Sequence, residues 1–430
     1  MKRILIISPY FPPSNTADSQ RIRMSLSYFK DFGWEAEVVC VDEKHSEMPK
    51  DNLLLLSIPA DTIIHKVEAL SKKWTSKFGL GSLALRSIVF YRKKVMLLLQ
   101  VKKYDLVYFS TTEFSVCILG SYWKKRFGIP YVIDMQDAWH SNYYQDKPKH
   151  ERPPKYWFSY RLHKHLEPIA MKNCDGLISV SADYITTLQQ RYPQLKNKPA
   201  AVIPFGTFEK DFEIAKKNYL KCPPAIQFSP EKFNVVYIGR GGADMQPALE
   251  LIFSVLKEAL EDNDKLFGKF HFYFIGTSYA PENLAKPTVL PVAKQFGIEK
   301  QVTEITGRIG FYSTINTLLA ADALFIPGSQ DPQYTASKVY PYLLTEKPLL
   351  AIFHQQSSAV EILRVCSPQS TVITFPIEKQ EANTQIRKTL NLWANFSTTK
   401  NLLDRKLFKE FTAKEMTRKQ AAIFEAIVKR

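Results

Sequence analysis

The strongest constraint on this chain is a rhythm that occurs twice. Short, almost continuously apolar runs of strand length alternate with amphipathic stretches of helical period. In the first half the runs are RILIISP, EAEVVCV, LLLLSI, DLVYFS, PYVIDM, GLISVS and AAVIPFG, with helical patterns at about 18–32, after LLLLSI, after DLVYFS and near 155–172. In the second half they are FNVVYIG, HFYFIG, VTEIT, ALFIPG, LLAI and TVITF, with helical patterns at 246–260, near 292–296 and from about Tyr312. Strands apolar on both faces belong to parallel sheets covered by helices on each side. Each half therefore reads as an α/β, doubly wound, Rossmann-like domain.

After Gly206 the periodicity is lost over FEKDFEIAKKNYLKCPPAIQFSPEK, which carries Pro223-Pro224 and is long enough to join two domains. The expected organisation is an N-terminal domain over 1–206, a linker over 207–232 and a C-terminal domain over 233–400. A charged amphipathic helix over 401–430, with Leu402, Leu403, Leu407, Phe408 and Phe411 on its early turns, is expected to pack back across the domains. A chain of 430 residues suits two such cores.

The apolar run in MKRILIIS breaks at Ser8-Pro9, too early for a signal or a membrane span, so a cytoplasmic location is expected. Cys40, Cys117, Cys174, Cys222 and Cys366 have neither metal-type spacing nor a disulfide framework, and read as inert thiols. A net charge of +16 demands an anionic partner: lipid, phosphorylated substrate or nucleic acid. Between 66 and 103 the basic residues Lys66, Lys72, Lys73, Lys77, Arg86, Arg92, Lys93, Lys94, Lys102 and Lys103 face one acid, Glu68, and interleave with Trp74, Phe78 and several aliphatics. That composition suits peripheral docking on an anionic membrane, and equally a helix that merely exposes lysines. No nucleic-acid-binding module is recognisable, so no nucleic-acid partner is expected.

The order of SPYFPPSNTADSQR, IPYVIDMQDAW, CDGLISVS, VIPFGTF, VVYIGRGG and SKVYPYLLTEKPLLAI resembles that in the GT-B glycosyltransferases of the large retaining family four, over roughly residues 1–375. The resemblance implies a nucleotide-sugar donor held by the C-terminal domain in a cleft between the domains, with the acceptor on the N-terminal one. It implies no metal or other cofactor, the nucleotide sugar being a substrate. The acceptor it suggests is a glycan or a lipid-linked glycan of surface polysaccharide synthesis. A scaffold protein and a nucleotide-sugar epimerase of the same fold are the rival readings.

Gly239-Arg240-Gly241-Gly242 follows a strand and opens a helix, a place where backbone amides and a cation can meet phosphate. The resemblance implies a basic residue here, matched by Arg240, and a lysine shortly after, where this chain has Ala243-Asp244-Met245-Gln246. Arg308, after Thr306-Gly307, falls where relatives contact the base. The family's two glutamates, one for the sugar and one for the ribose, fall on Gln333 and Pro341, and a glycine before the Lys-Pro turn is Glu346. Asp331, Glu346, Thr335 and Ser337 are possible substitutes, and Ser337 with Lys338 offers amide, hydroxyl and ammonium to a phosphate. In the first half Asp137 is the candidate to orient the acceptor hydroxyl or take its proton, while Asp134 reads as structural and His140 as a loop residue. Asn15 and Thr16, with Arg21 on the next helix, form a candidate acceptor or phosphate loop.

Overall fold

The computed structural model describes residues 1–142, 145, 148, 149, 152, 155–262, 264–278, 280, 284–330, 338–395 and 401–429. It divides into two compact units, one made of 1–208 with 411–430 and the other of 209–410.

The first unit is built on strands β1 (Lys2–Ile7), β2 (Trp34–Val41), β3 (Ile63–Val67), β4 (Leu106–Ser110), β5 (Tyr131–Met135), β6 (Gly176–Ser179) and β7 (Ala200–Val202). They form one parallel sheet in the order β3-β2-β1-β4-β5-β6-β7. Its helices are α1 (Ser19–Ser25), α2 (Lys72–Thr75), α3 (Leu83–Val101), α4 (Ile118–Phe127), α5 (Tyr156–Met171) and α6 (Ala182–Arg191). The central strands are buried along their whole length, as their apolar runs require.

LLLLSI is not a strand. Residues 52–57 wind into a 3-10 segment capped by the Asp51 carboxylate, which accepts from the Leu53 amide at 3.0 Å. The third strand is IIHKV, ten residues on, at the sheet edge. An edge strand is only partly covered and needs no unbroken apolar run, so a count of leucines picked the wrong segment.

The second unit carries β8 (Phe233–Ile238), β9 (Phe270–Ile275), β10 (Val302–Ile305), β11 (Ala323–Pro327), β12 (Leu349–His354) and β13 (Thr371–Phe375), in a second parallel sheet ordered β10-β9-β8-β11-β12-β13. Its helices are α7 (Glu209–Lys217), α8 (Gln246–Glu261), α9 (Leu290–Gln295), α10 (Phe311–Ala320), α11 (Val339–Leu344), α12 (Ser358–Cys366), α13 (Lys379–Ala394) and α14 (Arg405–Phe408). The segment expected as a bare linker is partly helical. In α7, Asp211 accepts from the Tyr312 hydroxyl at 3.2 Å, and the Asn316 amide donates to the carbonyls of Ala215 and Cys222 at 3.1 and 2.7 Å. Its short apolar face, Ile214 and Ala215, was too brief to read as a helix.

The C-terminal segment divides. Residues 401–410 belong to the second unit, whereas α15 (Ala413–Val428) belongs to the first. Phe424 lies 5.5 Å from the Trp34 ring and 5.0 Å from that of Tyr108, and the Gln420 amide donates to Ser25 Oγ at 2.9 Å. No helix among the described residues is long and apolar enough to cross a membrane.

A buried ion pair pins the first sheet. Arg21 and Asp134 are both fully buried, with Nε 2.7 Å from Oδ2, and the guanidinium also donates to the carbonyls of Ile203 and Pro204. The carboxylate accepts from Tyr108 Oη, Ser110 Oγ and Gln136 Nε2 at 3.2, 2.9 and 2.8 Å. Removing one partner of such a pair strands the other charge in the core, at a cost of roughly 3–5 kcal/mol. Asp134→Ala should therefore lower the urea midpoint of the first unit sharply, whereas Asp137→Ala on the exposed loop beside it should leave that midpoint nearly unchanged.

Candidate anion site at the end of the second sheet

In the order β10-β9-β8-β11, chain direction across the sheet reverses at β8, so the loops leaving β8 and β11 diverge and open a crevice at their carboxyl ends. Gly239–Gly242 follows β8 there. The amides of Gly239 and Gly241 donate to the carbonyls of Ile275 and Thr277 at 2.8 Å each. Those two amides are thus spent holding the loop against the end of β9 rather than aimed at a ligand.

The loop is glycine-rich because side chains from elsewhere fill the space. A Cβ at Gly239 would overlap the ammonium of Lys338, and one at Gly241 would overlap Thr288 Oγ1. Lys338 stands at the start of α11, and its Nζ donates to Tyr237 Oη at 2.9 Å while lying 4.8 Å from the centre of that ring. Four residues on, on the same helix face, Tyr342 accepts from the Ile238 amide at 2.8 Å. The helix therefore clasps the end of β8 with one tyrosine and delivers a lysine to the glycine loop with the other contact.

Three cations converge. Burial, with Arg240 and Arg308 beside it, pushes the Lys338 ammonium down to about 7. Among the described residues no carboxylate is paired with it. Arg240 grips Asp244 through both terminal nitrogens, at 2.9 and 2.7 Å, and that bond holds the Asp244 carboxyl below its usual range. Arg308 follows β10, and a Cβ placed on Gly276, which has φ +74°, would lie 3.9 Å from the Arg308 Cα. A buried cation with like charges for neighbours is a poor way to stabilise a fold and a good way to receive an anion.

The structure thus brings together Gly239, Arg240, Gly241, Gly242, Arg308 and Lys338. Gln333, Thr335 and Ser337, with Asp331, lie outside the described residues. Pro341 sits inside α11, and Glu346 adopts the left-handed φ of 54° where relatives are expected to have glycine, its carboxylate 3.0 Å from Arg405. That carboxylate is engaged within its own unit, not presented to a sugar. Tyr237 and Tyr342 escaped sequence reading, since each looks like an ordinary core aromatic; their spacing to Gly239 and Lys338 was the available signal.

In the first unit the candidates separate. Asp137 lies exposed just beyond β5, its carboxylate accepting from the Ala138 amide at 2.8 Å and bonded to the Tyr184 hydroxyl. The Asn15 amide donates to the Pro49 carbonyl at 2.8 Å and the Thr16 amide to Ser14, which shapes the loop as a turn. Arg21 must be withdrawn as a ligand-facing residue, because its guanidinium is consumed by Asp134 and two carbonyls in the core. Gln136, which stands where relatives often have His or Arg, serves the same buried pair. A group that sequence reading overlooked sits where β1 and β4 diverge: Asp18 accepts from Thr111 Oγ1 and the Thr112 amide at 3.1 and 3.2 Å, and burial raises its carboxyl. His140, its imidazole pushed down to about 4 by burial and by Arg191, is neutral and packs on Tyr160.

A cavity of about 630 Å³ in the second unit, lined by Pro247, Glu250, Gln330, His354 and Phe375 among others, includes none of the converging cations. Among the described residues no group of His, Cys, Asp or Glu side chains is arranged to hold a metal ion.

No family model matches the sequence, and no curated protein is similar to it. Solved structures are similar in fold. HepE from Anabaena, in complex with UDP, is 16% identical, with a TM-score of 0.58 over 99% of this chain and 100% of its own. WaaG, a glycosyltransferase involved in lipopolysaccharide biosynthesis, is 14% identical with a TM-score of 0.55 over 98% and 99%. An α,α-trehalose-phosphate synthase (UDP-forming) from Burkholderia xenovorans, in complex with glucose-6-phosphate, is 11% identical with a TM-score of 0.58 over 99% and 100%. The chain has the fold of these proteins, the two-sheet GT-B architecture that its repeated strand rhythm anticipates.

The lowered Lys338 ammonium fixes a sign. Between about 7 and the ordinary lysine range the unfolded chain holds a proton that the folded chain has released, so stability from this group rises with pH across that window and its full cost is felt below about 7. Wild type should gain stability relative to Lys338→Met as pH is raised from 7 to about 10, measured by urea unfolding at each pH.

Proposed function

We propose that the chain is a glycosyltransferase that takes a sugar from a nucleotide-sugar donor, with the diphosphate received by Lys338, Arg240 and Arg308. The observation that carries this reading is a largely desolvated lysine that fills the space over the glycine loop at the switch point of the second sheet, with Arg240 and Arg308 adding like charge. Departure of a nucleoside diphosphate builds negative charge on the bridging oxygen. Cations fixed in place before the reaction lower the cost of that charge without reorganising during it. They supply in side chains what a divalent metal supplies in other phosphate sites, and the proposed reaction needs no metal. The likeness in fold to HepE, determined with UDP and also with UDP-glucose, supports a uridine nucleotide as the first donor to try.

The lysine comes from an unusual place. Where the family resemblance leads one to expect it soon after the glycine loop, this chain has Asp244, which holds Arg240 instead. The ammonium is delivered from α11, in the stretch where the paired glutamates are missing. In this reading the acceptor is a glycan or lipid-linked glycan, the transferred sugar is a hexose moved with retention of configuration, and the product belongs to surface polysaccharide. Asp137, exposed and held by Tyr184, orients the acceptor hydroxyl. The basic character of the first unit suits work on the inner face of a membrane.

Lys338→Ala and Arg240→Ala should each weaken UDP binding by about 10- to 100-fold, the worth of one charge-assisted hydrogen bond. A thermal-shift series with UDP, other nucleoside diphosphates and their sugars reads this directly, because a ligand confined to the folded state raises the midpoint by mass action. Unchanged affinity in both variants removes the donor site from these residues; binding of every variant without transfer or release of sugar favours a scaffold.

A further inference from the structure

We infer that Trp74, Phe78 and Trp157, framed by Lys73, Lys77, Lys155 and Arg161, form a wedge that enters the headgroup layer of an anionic lipid bilayer. This rests on the membrane part of the reading above and names the residues that would do the work. The expectation from sequence was a basic region over 66–103 meeting an anionic membrane, and the structure distributes those residues over β3, α2, a 3-10 turn and α3 to just past its end. Lys66 is on β3 and paired with Glu43, Lys72 with Glu47 and Lys102 with Glu37, while Arg86 is buried and donates to the carbonyls of Leu70 and His45. Four of the ten basic residues in the apparent patch are thus ordinary fold chemistry.

What remains is more specific. After α2 the chain makes a 3-10 turn over Ser76–Phe78 and stops at Gly79, where a Cβ would run into the ring of Phe158. The Lys155 ammonium donates to the Ser76 carbonyl at 3.0 Å. These contacts place the 72–78 segment against the first turn of α5, so that three large exposed aromatics stand on two segments that touch. Trp74 is 68% exposed, Phe78 73% and Trp157 64%. Three rings this exposed on adjoining segments are rare on a surface that meets only water.

The charge around them selects the partner. Lys77 Nζ lies 5.0 Å from the Trp74 ring centre and Arg161 5.7 Å from that of Trp157. The sequence has no acid from 69 to 103 or from 155 to 166. Tryptophan with lysine and arginine around it matches the layer where acyl chains meet anionic headgroups: the rings enter the boundary while the cations stay among the phosphates. Glu47 pairs with Lys72, but a protein partner would still have to meet the same patch with a largely acidic rim.

The test is sedimentation of the full chain with vesicles of phosphatidylcholine alone, or with one third phosphatidylglycerol, for wild type, the triple variant Trp74→Ala/Phe78→Ala/Trp157→Ala and the double variant Lys73→Glu/Lys77→Glu. Wild type should bind the anionic vesicles with a blue-shifted tryptophan emission, and the triple variant should bind about tenfold more weakly with an unchanged melting midpoint, since all three rings are exposed. The single variant Trp74→Ala, measured alongside, should lose part of the binding. A triple variant that binds as wild type overturns the wedge and leaves membrane association to the lysines. Wild type that ignores both vesicle types overturns the wedge and membrane association together. UDP affinity in the same samples reports on the donor site independently of either outcome.

Discussion

The chemistry proposed for this chain depends on a largely desolvated ammonium that, among the described residues, has no carboxylate paired with it. Lys338 is held by the hydroxyl and the ring of one tyrosine, with the Arg240 and Arg308 guanidinium groups adding like charge nearby. Burying a cation this way costs free energy, and the lowered ammonium pKa is the form that cost takes. Several features of the second unit follow from it. A side chain at Gly239 would displace the ammonium from that space, and Tyr342 bonds the end of β8 from the helix that carries Lys338.

The two units give opposite treatment to a buried cation near a strand end. Arg21 in the first is neutralised by Asp134 and saturated with carbonyls, tyrosine, serine and glutamine around the pair. Nothing is left over to meet a ligand, and the pair acts as a pin in the sheet. Lys338 is partly buried and, among the described residues, has no carboxylate on it, and that difference separates a structural cation from one poised for an anion. The same comparison explains Gln136, which would be hard to understand as an acceptor contact but is needed to complete the hydrogen bonds of Asp134.

Much of the architecture was legible because strands buried on both faces announce themselves through unbroken apolar runs, as in VVYI and LVYF. Where burial is one-sided the signal fails: the edge strand IIHKV was passed over for LLLLSI, and the short helix over Glu209–Lys217 was read as linker. The site was legible in part. Glycines after β8, with Arg240, Arg308 and Lys338, could be picked out because their types and places carry chemistry. Arg21 misled, since a sequence shows that an arginine follows a strand but not whether a carboxylate 113 positions on, at Asp134, has claimed it. The tyrosines that hold Lys338 were hidden for a related reason: only a contact between residues about a hundred apart distinguishes them from any other core aromatic.

The most direct test of the central claim is the proton count on nucleotide binding. Calorimetric titration of UDP at pH 7.5, in buffers of differing ionisation enthalpy, measures how many protons the complex takes up. An ammonium that has mostly released its proton in the free protein at this pH and is clamped by a diphosphate in the complex must recover it. The account predicts net uptake of a substantial fraction of a proton by wild type, abolished in Lys338→Met. Binding of UDP with the same proton uptake in both proteins would contradict it.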